Sequence, residues 1–454
     1  MHDPDALCDQ GIALNAAGRF AEAAERLAAA LALRPGFTDA IFNLGNSYAG
    51  LGRLDDAIEC YRAVLTRAPR SADTHSNLGV VLHERGEFDA AIAAYERALE
   101  IRPDLMEALQ NLGSLLEERG RRREAMALYR RALKVDPAAA QPAYNLGLAH
   151  LRELEFEAGW DCCEARFRTS PPVTPARRFP VPEFSATDFG RGRRLAVWRE
   201  QGVGDQVLYS TLLPELEARG ERFVVEVDPR LVPAYRRAHP GWNIVSQPDF
   251  PGCDRHIAVG SLPRLLRPDK ESFARQPRAV LAADPGRAPQ LSTDRARVIG
   301  VSWRSFQPAL RAAQRRKKSA PLAMFMPLSR VSGVRLLDLQ YGDTAAERAA
   351  FAAAGGALLH LPDLDLFNDL EGVLAALQAC DLVVTTSNVT AHFAGALGKE
   401  TLHVYPAGDS PFYYWTPDED GRCLWYPSVR IVTGAELDTW ETVMARAQEL
   451  VRAS

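Results

Sequence analysis

The sequence predicts an α-solenoid followed by an α/β region of two doubly wound halves, and three observations carry that reading. Glycine recurs at 11, 45, 79, 113 and 147, a period of 34 residues. Beyond residue 190 the period is lost, and short apolar runs alternate with helical segments. Two of those runs end in small or hydroxyl residues, Glu200–Asp205 and Thr385–Thr390, of the kind that open a helix onto a ligand.

The register holds more than one residue type. Proline falls at 35, 69, 103 and 137, alanine at 23, 57, 91 and 125, and a second glycine at 18, 52, 86 and 120. Tyr61, Tyr95 and Tyr129 keep step. A fixed 34-residue period of these types is the tetratricopeptide pattern, in which helix pairs bury their apolar faces only against the next pair. Small residues let the paired helices approach, and proline closes each unit where a helix cannot continue. Four full repeats span about 4 to 137, and a fifth opens at Asn145-Leu146-Gly147. Its second helix departs from the pattern with Gly159 and Trp160, which reads as a cap.

A chain of 454 residues exceeds one core, so two or three domains are expected. The hydrophobic fraction of 47%, charged fraction of 25% and net charge of −4 fit an ordinary globular protein and do not single out nucleic acid as partner. The one basic cluster is Arg311 to Lys318. Seven cysteines show no CxxC and no zinc spacing, and Cys162-Cys163 is a vicinal pair on a predicted helix. A reduced, cytoplasmic setting is expected, with no leader, no membrane span and no metal.

The expected divisions are 1–168 for the repeats with their cap, 169–189 for a proline-rich linker, 190–290 for the first α/β half and 291–454 for the second. Strands are predicted at Leu195–Trp198, Phe223–Val227, Asn243–Val245 and His256–Val259, with helices near 205–219 and 230–238. The second half starts at Val298–Trp303 and continues with strands at Val334–Gln340, Ala357–Leu361, Leu382–Thr385 and Thr401–Tyr405. Helices are predicted near 345–354, 370–379, 389–397 and 436–452, the last able to return to the first half. Strands alternating with helices imply parallel sheets with a cleft at the strand C-terminal ends.

Four groups of residues are candidates for chemistry. In Glu200-Gln-Gly202-Val-Gly204-Asp205 the glycines allow a tight turn that exposes N–H groups. Asp205 then either takes a proton from an attacking hydroxyl or only caps its helix. In the run from Thr385 to Gly398, the donors Ser387, Asn388 and Thr390 with His392 one turn in make a seat for a pyrophosphate. The alternative is that Asn388 or Ser387 merely caps and His392 is an interior histidine. Arg304 and Lys318 are the cations expected to meet phosphate, the rest of Arg315-Arg316-Lys317-Lys318 being surface. Gln340 and Tyr341 end a strand and are expected to line a nucleoside pocket. The ladder Asn43, Asn77, Asn111 and Asn145 is placed to pair with the backbone of an extended peptide in the repeat groove.

With these motifs the chain resembles bacterial repeat-containing glycosyltransferases, and more distantly O-linked N-acetylglucosamine transferases. Its two α/β halves look like the GT-B fold of two Rossmann-like domains found in the ADP-heptose:lipopolysaccharide heptosyltransferases. The strongest matches are Gly202-Val-Gly204-Asp205 through Leu213-Pro214 and His392-Phe-Ala-Gly-Ala-Leu-Gly398-Lys399. The resemblance implies Asp205 as catalytic base, Lys318 before Ser-Ala-Pro321 as a donor-phosphate contact, and metal-independent inverting transfer from a nucleotide sugar. Ser387-Asn388 stand where that family has Asp-Thr. The repeats imply a protein acceptor, and flagellin glycosyltransferases with nonulosonic acid donors are the nearest specific match. Two other readings stay open: a non-catalytic adaptor that keeps a degenerate transferase fold, and an enzyme with a glycan acceptor whose repeats serve assembly.

Overall fold

The computed structural model describes residues 3–291, 296–305, 319–406, 412–434 and 439–453. It divides into two compact units, Met1–Leu146 and Gly147–Ser454.

The first unit is built of helix pairs: Pro4–Ala16 with Phe20–Leu33, Thr38–Gly50 with Leu54–Arg67, Ala72–Arg85 with Phe88–Ile101, and Met106–Glu118 with Arg122–Val135. The first helix of the next pair, Ala140–Arg152, straddles the division between the units. The two glycine registers do different work. Gly45, Gly79 and Gly113 lie under the rings of Tyr61, Tyr95 and Tyr129, and a Cβ on Gly79 would stand 2.7 Å from Tyr95 Cε1. Gly18, Gly52, Gly86 and Gly120 have open space around them but φ between +72° and +89°, the left-handed turn that ends each first helix.

The second unit holds two parallel sheets. The first has strands β1 (Arg194–Trp198), β2 (Arg222–Glu226), β3 (Asn243–Val245) and β4 (Arg255–Ala258), in the order β3-β2-β1-β4. The second has β5 (Arg297–Ser302), β6 (Val334–Asp338), β7 (Leu358–Leu359), β8 (Leu382–Thr385), β9 (Thr401–Val404) and β10 (Val429–Val432), in the order β10-β9-β8-β5-β6-β7. Both are doubly wound: the strand order reverses between β1 and β4 and again between β5 and β8. In register, Val197 faces Ile257 and Val301 faces Val384. These central strands are buried on both faces, so they read as unbroken apolar runs.

Several expectations are corrected. Strand β10 lies in a stretch rich in Trp, Tyr and Pro where alternation with helices gave no sign of it. The helix expected near 205–219 is two, Val203–Ser210 and Leu213–Ala218. Thr211 bonds back to the Leu208 carbonyl at 2.6 Å, and Pro214 offers no N–H to continue the ladder. The terminal helix, Trp440–Ala453, does not return to the first half: Val443, Met444, Ala447 and Val451 share a core with Ile299, Val301 and Phe325 of the second.

The boundary expected at 168 falls earlier, because the capping helix Phe156–Cys163 belongs to the α/β unit. The Trp160 indole donates to the Arg267 carbonyl at 2.7 Å, and the Phe156 ring lies 4.9 Å from Phe273. The segment 169–189, expected to be a linker, adds no strand to either sheet beyond an isolated bridge, makes a short turn at Ala186–Asp188, and is pinned. Glu183 makes a parallel bridge to His256, Phe179 stacks on the His256 ring at 4.3 Å, and Arg177 pairs with Glu226 at 2.5 Å.

Two substitutions separate the units. Gly79→Ala must push Tyr95 out of its seat and is expected to cost about 1–3 kcal/mol. Urea unfolding of the repeats followed by far-UV circular dichroism measures it. Trp160→Ala is expected to cost about 3–5 kcal/mol in the α/β unit. All seven tryptophans lie beyond residue 146, so indole fluorescence reports that unit alone.

Candidate functional site

In open α/β sheets ligands gather outside the strand C-termini where the order reverses. Here both reversal points border one cleft of about 380 Å³. From the first sheet come Gly202, Gly204 and Asp205, at the start of the helix Val203–Ser210, together with Arg230 just beyond β2. From the second come Ser305 after β5, Tyr341 after β6, and Ser387, Asn388 and His392 at the start of the helix Val389–Ala396. Phe367, Phe412 and Tyr414 add an aromatic wall. The two motifs singled out in the sequence thus meet in space. A Cβ on Gly204 would stand 2.9 Å from His392 Cδ2, so the second glycine of the first motif is there to admit the histidine of the second.

Asp205 holds both of its expected positions at once. It lines the cleft, and its Oδ2 accepts from the Gly202 N–H at a long 3.3 Å. The turn before it contains Gln201 at φ +57°, a left-handed conformation unusual for a residue with a side chain.

The second motif is more structural than its composition suggests. Asn388 caps its helix through Ala391 N and donates to Ser302 Oγ at 2.9 Å, so its amide ties β8 to β5. Thr390 is buried and lies 3.4 Å from the same Ser302 hydroxyl, outside the cleft lining. Ser387 accepts from the Trp415 indole at 3.1 Å and faces the cleft. His392 is almost fully enclosed, and burial pushes its pKa down to about 3. It is therefore a neutral imidazole, with Nδ1 placed 3.1 Å from the Tyr426 hydroxyl. Behind it His403, on β9, is also lowered to about 3, chiefly by burial, and stacks on Trp415 at 4.3 Å.

Three expected contacts are corrected. Gln340 does not line the cleft. Its Oε1 accepts from Ser302 Oγ, Trp303 N and Arg304 N at 2.8–3.0 Å while Nε2 donates to the Tyr341 carbonyl. It is a strut between the ends of β5 and β6, and only Tyr341 of that pair faces the cleft. The Arg304 guanidinium turns the other way, to Glu347 at 3.2 Å and the Asp343 carbonyl. The asparagine ladder is in part engaged within the repeats: Asn43 donates to the Asp39 carbonyl, Asn77 to Asn46 Oδ1, and Asn145 accepts from Gln141. Asn111 is half-buried. Lys318 and the neighbouring cations Arg315 to Lys317 lie outside the described residues.

Sequence reasoning missed Arg230, a cation that does reach the cleft. It is held by a fork to Asp228 at 2.9 and 3.0 Å and donates to the Phe367 carbonyl at 3.0 Å. Asp228-Pro-Arg230 directly follows a predicted strand C-terminus, which was the available signal. Among the described residues no group of three or more His, Cys, Asp or Glu is assembled to hold a metal. Nor is any described helix long and apolar enough to cross a membrane.

Comparison with known proteins identifies the repeats. Tetratricopeptide-repeat models match residues 8–67, 42–105 and 82–151, so the first unit is a tetratricopeptide array. Protein FlbA of Caulobacter vibrioides is 31% identical over 321 residues, covering 65% of this chain and 52% of that protein. The chain thus spans about half the length of this relative, and an alignment that long extends well past the repeats. Similar solved structures include MamA, at 22% identity over 34% of this chain and 91% of that one, with a TM-score of 0.32. YrrB, described as a TPR protein with an unusual peptide-binding site, is 21% identical over 36% of this chain and 85% of its own, with a TM-score of 0.31.

The buried histidines set a pH dependence. Both have folded-state pKa values below the unfolded value of about 6.5, so the unfolded chain binds protons that the folded chain refuses. Their contribution is complete above about pH 6.5 and is lost as pH falls toward 3, by at most about 1.4 kcal/mol per pH unit for each ring. Denaturant midpoints read by indole fluorescence between these limits should fall less steeply in His403→Gln than in the unchanged protein.

Proposed function

We propose that the α/β unit is a metal-independent, inverting glycosyltransferase of GT-B type, and that the repeats bring it a protein acceptor. The observation that carries this reading is the meeting of Asp205 with the His392 helix start across a single cleft, each at the reversal point of a doubly wound sheet. In the reaction, Asp205 takes the proton of the acceptor hydroxyl as its oxygen attacks the anomeric carbon of a nucleotide sugar. The bond from that carbon to the phosphate oxygen breaks, and its electron pair leaves with the nucleotide. The Ser387 hydroxyl, the neutral His392 ring and the positive end of its helix stand where that charge develops. By the resemblance to heptosyltransferases, Lys318 is assigned the cation that meets the donor phosphate.

A tetratricopeptide array supports a polypeptide acceptor, and flagellin serine and threonine residues are the first to test. Nucleotide-sugar donors place the work in the cytoplasm. The competing reading is an adaptor with a degenerate transferase fold. It is favoured by one observation: Arg304, Gln340 and Asn388, three residues expected to serve the donor, are engaged by the chain itself.

Incubation with nucleotide sugars and an acceptor, followed by intact-mass measurement, decides between them. The expected outcome is a sugar-sized mass gain that Asp205→Asn slows by about 10²–10⁴-fold. Failure to bind UDP, CMP, GDP or ADP in calorimetry, together with no mass gain, establishes the adaptor.

A further inference from the structure

A guanidinium fills the reversal point of the first sheet. Arg166 lies on the short turn Glu164–Phe167 that follows the capping helix, and it is 3% exposed. Its Nε and Nη2 meet both oxygens of Glu200 at 2.8 and 2.9 Å, a planar fork on a carboxylate. Nη2 also donates to Ser261 Oγ at 2.7 Å, and Nη1 to Glu164 Oε1 at 2.7 Å and the Cys163 carbonyl at 3.2 Å. Glu200 follows β1 and Ser261 follows β4, so Arg166 fills the space between these two strand ends, while Gly202–Asp205 of the same β1 loop line the cleft. Burial works against the charge, and the Glu200 and Glu164 carboxylates together more than offset it, so Arg166 stays protonated.

Such a pair is poor evidence of stability for its own sake, since two apolar side chains fill a buried site as well. What the fork adds is direction. Glu200 also accepts from Gly260 N at 2.8 Å and packs so closely that a Cβ on Gly260 would stand 2.5 Å from its Oε1. With its carboxylate fixed in plane, Glu200 cannot rotate. The next residue is Gln201, whose left-handed backbone persists only where its surroundings over-determine it. After it come Gly202, Gly204 and Asp205.

We infer that Arg166 is a positioning residue for the loop Glu200–Asp205, coupling the segment that leaves the capping helix to the cleft. The catalytic part of this inference rests on the transferase reading above; the conformational part does not. Arg166→Lys keeps the charge and loses the fork. Arg166→Met combined with Glu200→Gln removes the two fully buried charges, leaves the partly exposed Glu164 with the Ser261 hydroxyl, and keeps an amide oxygen for Gly260.

In both variants, amide hydrogen exchange in a peptide covering residues 199–210 should accelerate by about tenfold, with peptides of the second sheet unchanged. The double variant should melt near the unchanged protein, yet its kcat for transfer should fall by up to about 10²-fold with KM for the nucleotide sugar little altered. Exchange at 199–210 that matches the unchanged protein in both variants overturns the inference. So does a double variant that regains normal kcat along with its stability, since Arg166 would then be structural only. If the unchanged protein transfers no sugar, the transferase reading fails and the exchange measurement alone decides the role of Arg166.

Discussion

No methyl group fits between Gly204 and His392, and the cleft depends on that contact. Two parallel sheets each end in a turn and a helix start, and at this point the two helix starts touch. A helix begun by a larger residue would hold the halves apart and open the cleft to bulk water. The histidine side is equally constrained. Enclosed among Tyr414, Trp415 and Tyr426, its ring is kept neutral by burial, which disfavours the charged form. The contact is therefore between a bare backbone and a neutral imidazole, which brings two helix N-termini together without adding a third positive charge.

The polar residues around this contact show how buried strand ends limit what a site can offer. Ser302 donates to Gln340 and receives Asn388, which joins β5 to β6 and to β8. Buried donors and acceptors must be satisfied, so at a reversal point the side chains best suited to a ligand are also those the sheet needs. Asn388 and Gln340 resolve that competition in favour of the sheet. Asp205, Ser387, Tyr341 and one edge of His392 remain turned to the cleft, a small polar set on a largely aromatic wall, as small-ligand sites commonly have.

What was legible in the chain follows the range of each interaction. The 34-residue register is local and repeated, so the helix pairs and the small residues that let them approach could be read directly. Most strands of both sheets were readable as apolar runs, because strands covered on both faces have no alternation to disguise them. The two motifs were readable as candidates, and their meeting in one cleft followed from parallel topology. The side-chain destinations were not readable. Arg304 is drawn to Glu347, 43 positions away, and Arg166 to Glu200, 34 positions away, and neither pairing leaves a spacing that a sequence displays. Strand β10 was missed for a local reason: the exposed Arg430 interrupts its apolar run, and among the described residues no α-helix separates it from β9 to mark the alternation.

The end of the repeats shows how the two kinds of fold are joined in one chain. Gly147 keeps the glycine of the register, but where earlier glycines seat a tyrosine ring, its missing Cβ admits the backbone N of Cys163 at 2.8 Å. The tyrosine position has become Cys163, whose backbone N and small Sγ both come up against Gly147, and the large side chain of that helix, Trp160, is turned to Arg267 instead. Three residues after the helix, Arg166 enters the crevice between β1 and β4. The segment that looks like a worn fifth repeat is thus part of the α/β core, and the departure from consensus is the means by which it becomes so. The proline-rich stretch that follows is no place to divide the protein, since Arg177, Phe179 and Glu183 all pin it to the first sheet. A fragment beginning near 190 would lack the indole and the guanidinium that the first half is built around. One beginning near 140 would keep both.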